Sequence, residues 1–94
     1  MSGYNVAVAG ATGAVGEALL SILAQRNFPV DEIFPLAGER SAGSTVMFNN
    51  KPVKVQNLAD FDFSQAQIGL FSAGGSVSAE FAPRAADAGC VVID

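Results

Sequence analysis

Apolar residues in this chain fall into short continuous runs separated by stretches with helical spacing. The first run, Tyr4–Ala9, carries two valines and stops at Gly10, which suits a strand buried on both faces. Val15, Ala18, Leu19, Ile22 and Leu23 then recur at helical spacing. Glu17 lies near the positive end of the helix dipole, and Asn27 with Pro29 supplies the stop. Residues 32–37 read as a second strand. Pro35 has no amide to donate, so the strand is expected at an edge or irregularly paired at that point. In the open middle, alternation over 46–48 and 53–55 around Asn49 and Asn50 predicts a small hairpin.

Residues 68–72 form another apolar run, ending just before Gly74 and Gly75. Val77, Phe81, Ala82, Ala85 and Ala88 follow it at helical period. Pro83 removes the amide that would bond Ala79, so this helix is expected either to kink there or to begin as a separate turn around 76–80. Gly89 fits its C-terminal stop, and residues 90–94 read as a last strand. Alternating strands and helices imply a mostly parallel sheet with helices on its faces. The expected class is α/β, a Rossmann-type doubly wound sheet. No internal repeat, low-complexity stretch or linker divides the chain, so residues 1–94 are read as one segment of a nucleotide-binding domain. The last strand is not followed by the loop or helix expected after it. The sequence is therefore read as cut at that point.

Composition narrows the function classes. A formal net charge of -4, with only 5 Lys and Arg, provides no footprint for nucleic acid or an anionic membrane. No apolar stretch is long enough for a membrane span and no secretory signal pattern opens the chain, so a cytoplasmic protein is expected. The single cysteine, Cys90, cannot form an internal disulfide. With no histidine, the commonest metal ligand and general base is missing. No catalytic or metal-binding residue is assigned within the chain.

Gly10, Gly13 and Gly16 lie between the first strand and the first helix, where a pyrophosphate can meet unpaired amides at the positive end of a helix. Gly10 allows the sharp turn, Gly13 lets backbone come close to phosphate, and Gly16 lets the helix lie against the strand. Thr12 can donate a hydroxyl. The spacing is G-x-x-G-x-x-G rather than G-x-G-x-x-G, and the same glycines would also serve a plain tight turn. Past the second strand, 38–41 reads Gly-Glu-Arg-Ser, where such a domain meets the adenosine ribose. Arg40, with Ser41 beside it, can bind a 2′-phosphate, or it can be an ordinary solvated arginine. Glu39 points the other way, because a carboxylate could hold the ribose diol or repel the phosphate.

Ser72, Ala73 and Gly74 repeat the strand-to-glycine arrangement on the same edge of the sheet. They could line the cofactor cleft, or form a loop in which Ser76 or Ser78 caps the next helix. Cys90 has no basic neighbour and begins an apolar strand, so it reads as packing rather than as a nucleophile. Phe61 and Phe63 read as a core anchor under a loop. Asp31, Glu32, Asp60 and Asp62 read as solvated turn residues.

Five segments taken together carry a family pattern: 6–16 (VAVAGATGAVG), 26–31 (RNFPVD), 40–43 (RSAG), 68–75 (IGLFSAGG) and 88–94 (AGCVVID). In this order and spacing the whole chain resembles the N-terminal segment of the aspartate-semialdehyde dehydrogenases. The resemblance implies NADPH-dependent reductive dephosphorylation of aspartyl 4-phosphate to the semialdehyde, on the way to lysine, methionine and threonine. It also implies a homodimeric or homotetrameric enzyme. By position, it implies that Thr12, Gly13, Ala14 and Val15, with Gly10, hold the pyrophosphate of NADP. Arg40 and Ser41 would hold the 2′-phosphate, and Ser72, Ala73 and Gly74 would border the cofactor. Gly38 stands where the family commonly has serine, and Ser44 where lysine is frequent.

The family's cysteine nucleophile, histidine base and substrate-binding arginines belong further along than Asp94, so these residues alone are expected to be catalytically inert. A silent paralogue would share the same segment. A short-chain dehydrogenase also begins with Gly-Ala-Thr-Gly, but its Tyr-x-x-x-Lys pair does not occur here. The acetylglutamyl-phosphate reductases usually carry tyrosine where Val15 stands.

Overall fold

The computed structural model describes residues 3–72 and 75–93, leaving aside the side chains of 75–78. Strand β1 (Tyr4–Ala9) is followed by helix α1 (Ala14–Gln25) and strand β2 (Val30–Ala37). A hairpin of β3 (Thr45–Phe48) and β4 (Lys51–Lys54) comes next, then the short strand β5 (Gln56–Asn57) and two 3-10 turns at Leu58–Asp60 and Phe63–Gln65. Strand β6 (Ile68–Phe71), helix α2 (Gly75–Asp87) and strand β7 (Val91–Ile93) complete the order. The main sheet runs β5-β2-β1-β6-β7 with every pairing parallel, and the hairpin forms a separate antiparallel sheet. The Rossmann-type α/β expectation is met.

Strand β1 lies at the centre because both of its faces are apolar. Val6 and Val8 pack with Leu20 and Val55 on the α1 side, whereas Ala7 and Ala9 pack with Phe61, Phe63, Phe71 and Phe81 on the α2 side. The aromatic anchor expected at Phe61 and Phe63 is real: their rings meet edge to face at 5.1 Å, and Phe63 stacks on Phe71 at 6.0 Å. The expected hairpin forms around Asn49 and Asn50. Both adopt positive φ, as a two-residue turn matched to strand twist requires. Its assigned ladder ends at Lys54, although Val55 still donates to the Ser44 carbonyl at 2.8 Å.

Three expectations need correction. The buried face of α1 is Gly16 and Leu20, with Leu19 and Leu23 packed beside them, while Val15 and Ile22 are 61% and 47% exposed. The helix is rotated because Gly16, having no side chain, presses against the backbone of Gly10 and Ala11. That contact decides which side faces the sheet. Helix α2 runs unbroken through Pro83, so the separate first turn does not exist. Pro83 and Ala79 are both exposed, which lets water satisfy the carbonyl left without a donor. Asp31 lies within β2, exposed, rather than in a turn, and Glu32 beside it is in the strand expected over 32–37, not in a turn.

Pro35 sits on a strand that is interior by order, but β5 joins β2 only at Leu36 and Ala37. At Pro35 the strand has a partner on one side only, so the missing amide costs no ladder bond there. Gly89, at φ 95, ends α2: Cys90 N–H donates to the Ala85 carbonyl and Gly89 N–H to the Ala86 carbonyl, both at 3.0 Å. This double return bond is the Schellman arrangement, and buried Ala85 and Cys90 supply its usual apolar contact. Among the described residues, no helix is long and apolar enough to cross a membrane.

Candidate nucleotide-binding site

The chain leaves β1 for β2 on one side and later returns to β6 on the other, so the strand order reverses beside β1. In open parallel sheets such a reversal opens a crevice beyond the carboxyl ends of the strands. A cleft of about 530 Å³ lies there. Its walls come from the ends of four strands: Gly10 and Thr12 after β1, Gly38 and Glu39 after β2, Asn57 at β5, and Ser72 after β6. Apolar groups dominate the rest, among them Leu58 and Phe81.

The glycine loop is built as its sequence suggested, but the three glycines do different work. Gly10 needs its positive φ of 81 to turn out of β1, and its amide bonds the Leu36 carbonyl at 2.9 Å. At Gly16 a Cβ would stand 2.7 Å from the Ala11 Cα, a backbone collision that cannot relax cheaply. Gly13 has ordinary extended angles, φ -84 and ψ 170, and an added Cβ would meet only the Gly10 carbonyl oxygen, at 3.5 Å. Neither backbone geometry nor packing demands glycine at 13. The space it leaves opens on the cleft.

Helix α1 begins at Ala14 without a side-chain cap. Its first free amides, those of Ala14 and Val15, therefore keep their hydrogen-bonding capacity and the positive end of the helix dipole for an anion. The Thr12 hydroxyl donates to the Ser41 hydroxyl at 3.4 Å, bringing the glycine loop to the turn after β2. In that turn the Gly38 carbonyl accepts from the amides of Ser41 and Ala42, each at 3.0 Å, and the Ser44 hydroxyl donates to the Ser41 carbonyl at 2.6 Å. Arg40 is exposed at the turn and does not line the cleft, whereas Glu39 does.

Ser72 ties the far wall to the centre. Its amide and its hydroxyl both donate to the Ala9 carbonyl, at 3.0 and 2.9 Å, fixing the end of β6 against that of β1. Ala73 and Gly74 lie outside the described residues. Ser76 and Ser78 fall inside α2 rather than ahead of it, so neither holds the capping position that the alternative reading gives them.

Asn57, Leu58, Ala59 and Phe81 line the cleft without having been singled out from the sequence. Asn57 caps the first 3-10 turn by accepting from Ala59 N–H at 3.0 Å. Arg84 braces that wall: its guanidinium lies 4.9 Å from the Phe81 ring centre and donates to the Ala59 carbonyl at 3.4 Å. An Asn-Leu-Ala turn has no motif, and only the pairing of β5 with β2 brings it to the site.

Cys90 is buried on the α2 side of the sheet, where loss of solvent pushes its thiol above the ordinary range. This is a packing cysteine. Asp62 is exposed and caps the second 3-10 turn. Hydrogen bonds from the Ser64 hydroxyl and then the Ser64 amide hold its carboxyl below the ordinary range.

The family model for semialdehyde dehydrogenase, NAD-binding domain, matches residues 5–94. Over 91 residues the chain is 63% identical to aspartate-semialdehyde dehydrogenase 2 of Vibrio cholerae and 62% identical to aspartate-semialdehyde dehydrogenase of Shewanella violacea. Each match covers 97% of this chain and 27% of the relative. It superposes with a TM-score of 0.96, at 61% identity, on the crystal structure of aspartate-semialdehyde dehydrogenase II complexed with ASA from Vibrio cholerae, covering 99% of this chain and 31% of that one. The chain thus spans a little over a quarter of the length of the curated relatives it matches. With its parallel sheet, uncapped first helix and glycine-floored cleft, the chain belongs to the semialdehyde dehydrogenase NAD-binding domain family.

Proposed function

We propose that this chain is the NADP-binding portion of an aspartate-semialdehyde dehydrogenase, the enzyme that reductively dephosphorylates L-aspartyl 4-phosphate to the 4-semialdehyde. The observation that carries the reading is Gly13, a glycine that neither φ nor packing requires, at the mouth of an uncapped helix and on the floor of the cleft. A pyrophosphate placed there lies against the bare backbone of Gly13, whose own amide is held by the Gly10 carbonyl, and meets the amides of Ala14 and Val15, with the Thr12 hydroxyl beside them. Ser41, reached from Thr12, and Arg40 on the same turn stand where the adenosine ribose ends, and serve a 2′-phosphate. Ser72 borders the far side. The bound nucleotide supplies the hydride that reduces the acyl group, and this segment binds and orients it.

The acyl-phosphate chemistry needs a nucleophile and a base that this stretch does not offer, since its one cysteine is buried and it has no histidine. The reading extends to the whole enzyme as the resemblance implies: cytoplasmic, homodimeric or homotetrameric, and serving lysine, methionine and threonine synthesis. The test has two arms. NADPH titrated into the 94-residue chain should quench or shift its fluorescence saturably, and the same chain mixed with aspartyl phosphate should oxidise no NADPH. The complete reading frame should oxidise it. Absence of saturable NADPH binding by the folded chain would overturn the proposal.

A further inference from the structure

Glu39 is the part of the cleft that an NADP reading leaves unused. The cleft wall includes Glu39 and stops short of Arg40. The two are the central residues of one tight turn, closed by the bond from Ser41 N–H to the Gly38 carbonyl at 3.0 Å, and of the two only Glu39 lines the cleft. Glu39 stands two residues past the end of β2, the place from which dinucleotide folds hold the adenosine ribose diol with a carboxylate. Beside it, a Cβ on Gly38 would meet nothing within 4 Å, which leaves room for the ribose.

We propose that Glu39 makes this domain accept NAD(H) alongside NADP(H). Its carboxylate takes the 2′- and 3′-hydroxyls of the ribose when no phosphate is present. Arg40 and Ser41 take the 2′-phosphate when it is. The inference rests on the dinucleotide reading of the cleft and deepens it. The charges decide the balance: Glu39, which lines the cleft, repels the 2′-phosphate and Arg40 attracts it, and because both are exposed solvent screens the two effects alike. Preference for NADPH over NADH is then small, within about tenfold, because one charged hydrogen bond gained is set against one like-charge contact.

The test is titration of NADH and NADPH separately into the 94-residue chain and into its E39A and E39Q variants, with circular dichroism confirming that each is folded. The native chain should bind both nucleotides. Glu39→Ala should weaken NADH by about tenfold and tighten NADPH, and Glu39→Gln should tighten NADPH while keeping part of the NADH affinity. NADH affinity more than about tenfold below that of NADPH would overturn the proposal and leave the NADP reading standing. So would an E39A variant that moves both nucleotides by the same factor. Binding of neither nucleotide by the folded chain would sink both readings together.

Discussion

The hydroxyl of Thr12 donates to that of Ser41 across 3.4 Å, joining two loops that are 29 residues apart in the chain. One loop follows β1 and the other follows β2, so the contact closes one side of the cleft where the two strands end together. It brings the proposed pyrophosphate loop beside the proposed ribose-phosphate turn.

The glycine loop offers a paired test. Gly16→Ala should destabilise the chain by about 1–3 kcal/mol, because the added methyl collides with backbone. Gly13→Ala should leave stability within about 0.5 kcal/mol, since its angles are ordinary and its one near neighbour lies at contact distance. Denaturant unfolding separates the two, and NADPH titration should show Gly13→Ala weakened despite its intact fold. Unchanged nucleotide affinity in G13A would mean that the bare backbone at this position serves no phosphate.

Arg40→Gln should lower NADPH affinity by roughly tenfold and leave NADH affinity unchanged, as loss of one charge-assisted bond to a 2′-phosphate requires. Calorimetric titration with both nucleotides reads this directly. An equal loss for both would mean that Arg40 supports the turn rather than the phosphate.

Leu20 and Ile22 lie on the same helix and should behave oppositely. Leu20→Ala removes a side chain that is 2% exposed and should cost about 2–5 kcal/mol. Ile22→Ala alters a residue that is 47% exposed and should cost well under about 1 kcal/mol. Urea melts of the two variants check the rotation of α1.

Cys90 should react slowly with a thiol reagent at neutral pH in the folded chain and quickly in urea, because burial raises its pKa. A group whose folded pKa is raised keeps its stabilising effect below the unfolded value, about 8.5 for cysteine, and loses it as pH climbs through the folded value. Stability should therefore fall more steeply above about pH 8.5 in the native chain than in Cys90→Ala. Parallel curves for the two proteins would mean that the thiol titrates alike in the folded and unfolded states.

Asp62 provides the acid counterpart. Its carboxyl is lowered by bonds from Ser64, so its stabilising effect is present above the unfolded value, about 3.9, and fades as pH falls through the folded one. A side-chain NMR titration should place Asp62 below an unconstrained aspartate, and Ser64→Ala should raise it.

Much of the architecture was written in local pattern. Continuous apolar runs marked β1 and β6 because a strand covered on both faces needs no polar alternation, and Asn49-Asn50 marked the hairpin because few residues tolerate positive φ. The glycine loop between β1 and α1 was legible for the same reason: its geometry is carried by backbone, and glycine is where sequence reports on backbone. Tertiary structure decided what local pattern does not encode. Apolar spacing alone left the rotation of α1 open, and the contact of Gly16 with Gly10 and Ala11 settled it. The two-residue strand β5 is too short to leave a periodic signal, yet its pairing at Leu36 and Ala37 carries Asn57 and Leu58 to the cleft. Sequence named both Glu39 and Arg40 at the ribose end, and only the fold of the turn after β2 put Glu39 on the cleft wall and Arg40 outside it, because a side chain's direction at a turn is set by which backbone groups bond across it.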